Sequence, residues 1–412
     1  MPVMTTTAPV PVSAPAVRPF PYLGLCMLAV AIFLNVTIEM IPTGLLPLMS
    51  ADLGVSESLV GLLVTVFAFT VVVTSTPLVA LTRRLPRHAL VVGVLAIFAA
   101  SSLLTAVAPT YELVVASRVF GGLAHGVFWA VVGAYSSYLV PKEQLGRAVA
   151  ITLGGGSLAF VLGVPLGTAL GQLLGWRATF GALAGLVALG ALLVWRFLPR
   201  VDHLAAVDAP EAATKAGGRR PSIGGVVLLC IITGVIMVGQ YTFYTYIAPF
   251  LSREAGLGDA AVSPLLFAYG IAGAVGLAVV GAYLGRRPRV GLVVSLGATI
   301  LAITLLGAFP HVPVVAIPAF ALWGLALGGL PALLQTRMLH IAPARIRDTA
   351  SAFFTTAFNI GIGGGALVGA IVLETLGLRA IPFVYLTILV IALAVVLVSD
   401  ALTSRAQART AA

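Results

Sequence analysis

Charged residues are scarce in this chain. Asp, Glu, Lys and Arg make up 9% of its 412 residues, whereas 60% belong to the apolar class. A typical soluble domain is about 25% charged and about 45–50% apolar. One water-soluble core cannot enclose so much apolar side chain, so the composition excludes an ordinary soluble protein and indicates an integral membrane protein.

Cysteines and recognisable catalytic motifs are also few. Cys26 and Cys230 are the only cysteines, and each lies inside an apolar run, where a thiol behaves as a small hydrophobic side chain. This excludes an extracellular fold held by disulfides. No metal-ligand cluster, nucleophile elbow or phosphate-binding loop occurs in the connecting segments. The sequence therefore argues against a membrane enzyme, a receptor with a folded loop domain and an ATP-driven pump.

Long segments without a charged residue predict twelve membrane-spanning helices. A helix needs about 20 apolar residues to cross roughly 30 Å of hydrocarbon. Run 290–336 holds two spans divided by the prolines within 309–313, and 19–51 is the first span although Glu39 interrupts it. The remaining charge-free runs each provide one span: 58–82, 88–111, 119–141, 148–176, 178–195, 221–252, 260–285, 349–373 and 380–399. The expected fold class is an all-α membrane protein.

The basic residues predict how these spans are oriented. With a cytoplasmic N-terminus, 19 of the 23 Lys and Arg residues lie on the cytoplasmic side and only Arg177, Arg253 and Arg379 lie outside, while Arg118 is within a span. The inverse topology would violate the positive-inside rule. We expect both termini in the cytoplasm and the chain in the cytoplasmic membrane, so the net charge of +10 is a topology signal that requires no nucleic acid.

The second half of the chain repeats the first at a constant offset of 202 residues. Segments that match at this offset are Pro86-Arg87 and Pro288-Arg289, Gly122-Leu123-Ala124 and Gly324-Leu325-Ala326, Gly175 and Gly377, and Pro47 and Pro249. We predict two six-helix bundles with the same topology, related by an axis along the membrane normal. The predicted boundaries are a disordered cytoplasmic tail at 1–19, bundles at 20–198 and 223–400, a cytoplasmic linker at 199–222 and a cytoplasmic tail at 401–412.

Small residues recur every four positions in the fifth and eleventh spans. The two series are Gly155, Ala159, Gly163, Gly167, Gly171 and Gly175, and Gly361, Gly365, Gly369 and Gly377. This spacing predicts close helix packing in lipid. The alternative is a sliding surface for alternating access.

The polar residues inside the spans break the repeat. At the offset of 202 the paired positions are Glu39 and Tyr241, Arg118 and Phe320, His125 and Leu327, and Pro165 and Leu367. Ionisable groups within the spans therefore belong to the first half. Duplicated residues are expected to build the scaffold, and the differing residues are the better candidates for chemistry.

Glu39, Arg118 and His125 are the candidate proton-coupling residues. An acid at the centre of a span costs about 2.5–3.5 kcal/mol, and intramembrane ionisable groups are by default functional. A carboxyl that gains and loses a proton as water reaches it can carry protons. Arg118 lies at a similar depth, because it follows Glu112 by six residues or about 9 Å. The alternatives are a permanent structural ion pair between Glu39 and Arg118 and a packing role for His125.

Six residues are candidates for binding a substrate near the middle of the membrane. Asn35 lies one helical turn from Glu39, and the seventh span supplies aromatic faces and hydroxyls of the kind that line pockets for small organic ligands. The set comprises Asn35, Glu39, Gln240, Tyr241, Tyr244 and Asn359. Phe243 and Tyr246 of the seventh span could instead belong to an aromatic belt at the membrane surface.

Three segments resemble the major facilitator superfamily, in particular its twelve-span drug:proton antiporters of the sugar-efflux and chloramphenicol-resistance-like types. Segment Arg118–Gly122 is similar to the fourth-span motif of proton-coupled members, and Gly163–Thr168 is similar to the fifth-span antiporter motif. Glu39–Pro47 resembles the first-span signature of sugar-efflux permeases. The resemblance implies two pseudo-symmetric six-helix bundles, a role for Arg118 in proton coupling, and Gly163, Pro165 and Gly167 as a conformational motif.

The loop after the second span departs from that family's pattern. Arg83, Arg84 and Arg87 keep the basic character of the cytoplasmic conformational motif, but Arg83 stands where an Asp is expected and Pro86 where a Gly is expected. That Asp normally joins a charge relay at the inner face. We therefore expect the cytoplasmic gate to be held differently here.

The resulting expectation is a proton-coupled exporter of a small drug-like or sugar-like molecule. Its partners would be the substrate, protons and the lipid bilayer, its energy source the proton gradient, and it would need no cofactor and act as a monomer. The alternative on the same fold is a facilitator or a proton-linked importer, against which Pro165 in the antiporter-like motif argues.

Overall fold

The protein is an all-α structure in which twelve helices are long and apolar enough to cross a membrane. The computed structural model describes residues 20–141, 144–201, 223–284, 287–342 and 347–411, without the side chains of 134, 339, 347–349 and 400–411. The spans are α1 Tyr22–Leu53, α2 Glu57–Thr82, α3 Arg87–Val107, α4 Tyr111–Leu139, α5 Leu145–Leu174, α6 Trp176–Phe197, α7 Ile223–Tyr244, α8 Asp259–Leu284, α9 Pro288–Ala308, α10 Pro313–Met338, α11 Ala350–Thr375 and α12 Leu378–Ser399.

The predicted number of spans is confirmed. The run 290–336 divides where expected, because α9 ends at Ala308 and α10 begins at Pro313. The described residues contain no strand. The predicted tail at 1–19 and most of the predicted linker, 202–222, lie outside the described residues. The last helix continues beyond its membrane span to Ala411, so the backbone of the predicted tail from 401 to 411 is helical.

Helix packing repeats between the two halves. In the first half α1 packs on α5 and α6, α3 packs on α4 and α6, and α2 packs on α4. In the second half α7 packs on α11 and α12, α9 packs on α10 and α12, and α8 packs on α10. Each pair in one half has its counterpart six helices later. The predicted fold class of two pseudo-symmetric six-helix bundles is therefore confirmed.

The halves meet through two equivalent helix pairs, α2 with α11 and α5 with α8. We call the end of the bundle at the α1–α2, α7–α8 and α11–α12 connections (54–56, 245–258 and 376–377) the sealed end. Here Ser58 of α2 donates to Glu374 of α11, and Ser263 of α8 donates to the carbonyl of Pro165 in α5 at 2.9 Å. Arg253 also pairs with Glu57 across the halves. Polar contacts thus close the gap between the halves at this end.

At the opposite end, which carries the α2–α3 connection (83–86), the halves separate. We call it the splayed end. In α2 no residue from 72 to 82 is buried, whereas nine residues between Ser58 and Val71 are. Val73 of α2 is 71% exposed and Phe353 near the start of α11 is 62% exposed. The contact of α2 with the second half is therefore tighter towards the sealed end than towards the splayed end.

The small-residue series in α5 and α11 are helix contacts within each half. A Cβ added to Gly155 would collide with the backbone of Ala29 in α1, and one added to Gly365 would collide with the carbonyl of Val238 in α7. The last member of each series was placed wrongly in a helix. Gly175 and Gly377 have φ of 87° and 82° and form the turns that follow α5 and α11. Close packing explains the rest of the pattern, as small residues let helix backbones approach.

Both α5 and α7 depart from regular α-helix near the interface of the halves. Pro165 has no N–H, and the backbone before it forms a π-helical turn at Ala159–Gly163, in which the N–H of Val164 reaches the carbonyl of Ala159. In the second half α7 ends at Tyr244, and a short helix, Ile247–Pro249, continues the chain. These irregular segments lie next to the candidate site.

Candidate transport site

Glu39, Arg118 and His125 meet where α1 packs against α4. Their side chains are buried, and Glu39 is 6% exposed while Arg118 and His125 are each 2% exposed. Arg118 and His125 share one face of α4 because seven residues make two helical turns. The structure thus brings together all three of the predicted proton-coupling residues.

Arg118 contacts the backbone of α1 and forms no ion pair with the Glu39 carboxylate. Its Nη1 donates to the carbonyl of Ile38 and its Nη2 donates to the carbonyl of Glu39, both at 3.1 Å. The guanidinium also lies over the ring of Phe67, 4.3 Å from its centroid. The structural ion pair considered from the sequence is therefore absent from this arrangement.

The carbonyl of Ile38 needs a donor from outside its own helix. In a regular helix it would accept from the N–H of residue 42, but that residue is Pro42, which has no N–H. A buried acceptor left unsatisfied costs about 1–3 kcal/mol. Arg118 supplies the missing bond, and in doing so it connects α4 to the middle of α1.

The Glu39 carboxylate faces His125. Oε2 of Glu39 lies 3.9 Å from Nε2 of His125, close to hydrogen-bonding distance. The imidazole is enclosed by the rings of Phe67, Phe98 and Trp129, with centroid distances of 5.0, 6.4 and 6.2 Å. A carboxyl and an imidazole at this separation can pass a proton between them with a small movement or through one water molecule.

Several buried polar atoms of the candidate residues lack a partner among the described residues. They are both amide atoms of Asn35, Nε of Arg118, Nδ1 of His125 and, in α11, Oδ1 of Asn359. Asn359 does donate from Nδ2 to the carbonyl of Thr355 at 3.0 Å. Unsatisfied buried donors and acceptors are costly, so a polar ligand or water is the natural partner for these atoms.

Gln240 lies at the centre of a hydrogen-bond network within the second half. Its Oε1 accepts from Nε1 of Trp323 at 3.0 Å and from the hydroxyl of Tyr385 at 2.9 Å, while its Nε2 donates to the hydroxyl of Tyr269 at 3.1 Å. The side chain is 5% exposed. These bonds link α7, α8, α10 and α12. To bind a substrate as predicted, the Gln240 amide would have to exchange one of these bonds for a bond to the substrate.

Tyr241 and Tyr244 bring aromatic rings to the interface of the halves. Their ring centroids are 6.2 Å apart, and Tyr244 also packs edge-on against Phe160 of α5 at 6.0 Å. At the offset of 202, Tyr241 is the counterpart of Glu39, so the two halves place a phenol and a carboxyl at equivalent positions of α7 and α1.

The aromatic-belt alternative for α7 is wrong for this structure. Phe243 and Tyr246 are fully buried rather than placed at a membrane surface. Phe243 stacks on Trp323 at 5.0 Å, and the hydroxyl of Tyr246 donates to the carbonyl of Ala366 in α11 at 3.0 Å. Both residues belong to the core of the second half.

The predicted conformational motifs lie outside the polar centre. Gly163 and Gly167 of α5 pack on Thr37 and Ile41 of α1. Pro165 offers its carbonyl to Ser263 across the interface. Arg83, Arg84 and Arg87 lie around the α2–α3 connection at the splayed end. Gly163, Pro165 and Gly167 contact Thr37, Ser263 and Ile41 rather than Glu39. We therefore expect these three residues to affect transport through helix movement.

Sequence reasoning missed the residues that enclose the site. They are Pro42, Phe67, Phe98, Trp129, Tyr269, Trp323 and Tyr385. The repeat offered one signal, because Phe67 and Tyr269 occupy equivalent positions and are both aromatic. Among the described residues, no group of three His, Cys, Asp or Glu side chains could hold a metal ion.

The family model described as Major Facilitator Superfamily matches residues 28–365 and 229–411 of the chain. The chain belongs to this superfamily. Its members are transporters rather than enzymes, and with twelve membrane-spanning helices the protein is a multi-pass membrane transporter of this superfamily. The recognition made from Arg118–Gly122, Gly163–Thr168 and Glu39–Pro47 is confirmed.

Curated members of the superfamily are similar over most of the chain. A protein named probable sugar efflux transporter from Helicobacter pylori (strain G27) is 32% identical over 365 residues, which cover 89% of this chain and 92% of that protein. A protein of the same name from Mannheimia succiniciproducens is 31% identical over 363 residues, or 88% and 90% of the two chains.

Solved structures of the superfamily share the fold at low sequence identity. A bacterial homologue of the human lysosomal transporter Spinster, in an inward-facing and unoccupied conformation, gives a TM-score of 0.69 at 17% identity and covers 92% of this chain and 96% of its own. The nucleoside transporter NupG gives 0.72 at 14% identity and covers 92% and 99%. These likenesses support the architecture of the superfamily.

Proposed function

We propose that this superfamily member is a proton-coupled exporter of a small sugar-like molecule across the cytoplasmic membrane. The observation that carries the proposal is the Glu39 carboxylate, which is buried in an otherwise uncharged part of α1 and faces His125 at 3.9 Å, while Arg118 bonds backbone carbonyls rather than this carboxylate. A carboxyl in this setting can exist with or without a proton. A proton carrier needs that property.

A hydroxyl-rich substrate suits the unpartnered polar atoms and the aromatic rings of the candidate residues. The free amide of Asn35, Nδ1 of His125 and Oδ1 of Asn359 offer both donors and acceptors, and Tyr241 and Tyr244 offer aromatic faces. Ligand sites of this kind combine apolar walls with a few polar groups that fix orientation. The relatives named probable sugar efflux transporters support the same substrate class.

The direction of transport follows from the expected orientation. If both termini lie in the cytoplasm, the splayed end opens to the cytoplasm and the sealed end faces outwards. Substrate would then enter from the cytoplasm while Glu39 gives up its proton to that side. Rocking of the two halves would break the contacts of Ser58, Arg253 and Ser263 at the sealed end and expose Glu39 to the outside. Uptake of an external proton would favour release of the substrate.

The proposal is tested in proteoliposomes with an imposed pH gradient and a panel of labelled mono- and disaccharides. The intact protein should move at least one sugar up its concentration gradient, in exchange for protons. Glu39→Gln should bind that sugar but lose gradient-driven accumulation, because the amide cannot carry a proton. Glu112→Gln is the matched control, since Glu112 is an exposed acid at the first turn of α4.

Four outcomes would overturn the proposal. Accumulation by Glu39→Gln at the rate of the unaltered protein would exclude Glu39 as the proton carrier. Uptake driven in the same direction as proton flow would identify a proton-linked importer, and flux that ignores the pH gradient would identify a facilitator. Transport of drug-like compounds in the absence of any sugar transport would exclude the substrate class.

A further inference from the structure

The carbonyl oxygen of Ile38 in α1 is affected by two side chains from different helices. Pro42 of α1 removes its usual donor, and Arg118 of α4 supplies another. Pro42 deprives the carbonyl of Ile38 of its helical donor, and Nη1 of Arg118 donates to that carbonyl at 3.1 Å. Nη2 bonds the next carbonyl, that of Glu39, at the same distance. The planar fork of a guanidinium can satisfy two neighbouring acceptors at once, which a lysine ammonium does less well.

We propose that Arg118 is a positioning residue that replaces the hydrogen bond removed by Pro42 and thereby fixes the backbone from which the Glu39 side chain projects. Because Nη1 and Nη2 of the guanidinium bond carbonyl oxygens and its plane lies over Phe67, Arg118 does not pair with the carboxylate of Glu39, which faces His125 instead. This role differs from direct participation of the arginine charge in proton transfer.

The internal repeat supplies an independent argument. At the offset of 202, Pro42 corresponds to Tyr244 and Arg118 corresponds to Phe320. The half that lacks the proline at this position also lacks the arginine. Pro47, in contrast, recurs as Pro249 in the half that has no such arginine. Within this chain the arginine therefore occurs in the half that has Pro42 and not in the half that has only the counterpart of Pro47.

The proposal predicts that removing the proline makes the arginine less necessary. Pro42→Ala restores an N–H that can bond the Ile38 carbonyl within α1. Arg118→Gln alone should lower the Tm of the purified protein and reduce proton-driven transport on the order of tenfold or more, because buried carbonyls lose their donors. The double variant Pro42→Ala, Arg118→Gln should recover most of the Tm and part of the transport.

Two further variants distinguish positioning from charge. Pro47→Ala combined with Arg118→Gln is the matched control, since it restores an N–H one turn too far along α1 and should recover nothing. Arg118→Lys keeps the positive charge but not the fork. It should resemble Arg118→Gln in Tm and be rescued by Pro42→Ala, and it provides the comparison should Arg118→Gln fail to fold.

The pH dependence of transport is a further test, because it would not change if Arg118 had only a structural role. In the rescued double variant the pH midpoint should return towards that of the unaltered protein, because Glu39 regains its position. Full activity of Arg118→Lys, no rescue by Pro42→Ala, or equal rescue by Pro47→Ala would each overturn the proposal. The transport readouts rest on the proposed function, but the Tm comparison does not, so failure of Glu39 as a carrier would leave the positioning role testable.

Discussion

The two halves of the protein share one scaffold and place different chemistry at the same points of it. In the first half Arg118 lies over the ring of Phe67 at 4.3 Å. At the equivalent points of the second half Phe320 packs against Tyr269 at 5.1 Å. The geometry is the same, but one contact is charged and the other is aromatic. The repeat therefore conserves where side chains meet, whereas the type of side chain differs between the halves.

The same difference between a charged contact in the first half and an uncharged contact in the second is found at the equivalent helices α1 and α7. Ile38 offers its carbonyl to an arginine, whereas its counterpart Gln240 uses its side chain to bind Trp323, Tyr269 and Tyr385. The first half thus holds an ionisable group in a site with unpaired polar atoms. The second half has a neutral hydrogen-bond network around Gln240 at the equivalent point. A proton-carrying carboxyl in the first half and hydrogen-bonded aromatic side chains in the second half suit a transporter whose halves rock against each other.

The largest effect is expected from breaking the neutral network. Gln240→Leu would leave the N–H of Trp323 and the hydroxyl of Tyr385 without their acceptor, at about 1–3 kcal/mol each, so stability should fall by about 2–6 kcal/mol. Thermal unfolding of the purified protein measures the loss. Gln172→Leu is the control, because that exposed side chain bonds a single carbonyl at the sealed end. An unchanged Tm for Gln240→Leu would mean that the network contributes nothing to stability.

The glycine contacts should be equally important in both halves. Gly155→Ala and Gly365→Ala each place a methyl group against the backbone of α1 or α7 and should destabilise the protein by about 1–3 kcal/mol through overpacking. Gly154→Ala and Gly364→Ala are the neighbouring controls, where an added Cβ meets open space or an ordinary contact. Thermal unfolding of all four would compare one backbone contact from each half, although Gly155 and Gly365 are not at equivalent positions of the repeat. A large loss in only one of them would show that the two helix contacts contribute unequally to stability.

Packing was predictable from the sequence because lipid-embedded helices follow simple spacing rules. The absence of charge over 58–82 was enough to place α2, and the four-residue spacing of Gly155 and Gly163 was enough to predict a tight contact. The bonds of Arg118 were not predictable in this way. Depth along a helix indicated that it could reach Glu39, but the choice between carboxylate and carbonyl depends on the rotation of α1 against α4. Similarly, the composition of α7 could not distinguish a buried Phe243 from one at the membrane surface.

A smaller effect is expected when the first half is made to resemble the second. His125→Leu introduces the residue found at the equivalent position 327 and removes the imidazole that faces Glu39 at 3.9 Å. Proton-driven transport should fall on the order of tenfold, which corresponds to about 1.4 kcal/mol, while sugar exchange without a gradient should persist. Counterflow and gradient-driven uptake in the same proteoliposomes separate the two. Equal loss of both activities would indicate a packing role for His125.

The smallest effect concerns the contact of the halves at the sealed end. Ser263→Ala removes one hydrogen bond to the Pro165 carbonyl, worth about 0.5–1.5 kcal/mol, and should shift the balance towards opening at that end. A cysteine at Ser56, in a chain whose Cys26 and Cys230 are replaced, would report this as faster labelling by a membrane-impermeant maleimide. Thr375→Ala is the control, because its hydroxyl bonds only within α11. A single bond between α5 and α8 is a small part of the free energy that keeps this end closed, so we expect a severalfold change in labelling rate. Identical rates in Ser263→Ala and Thr375→Ala would mean that the α2–α11 contact closes this end instead.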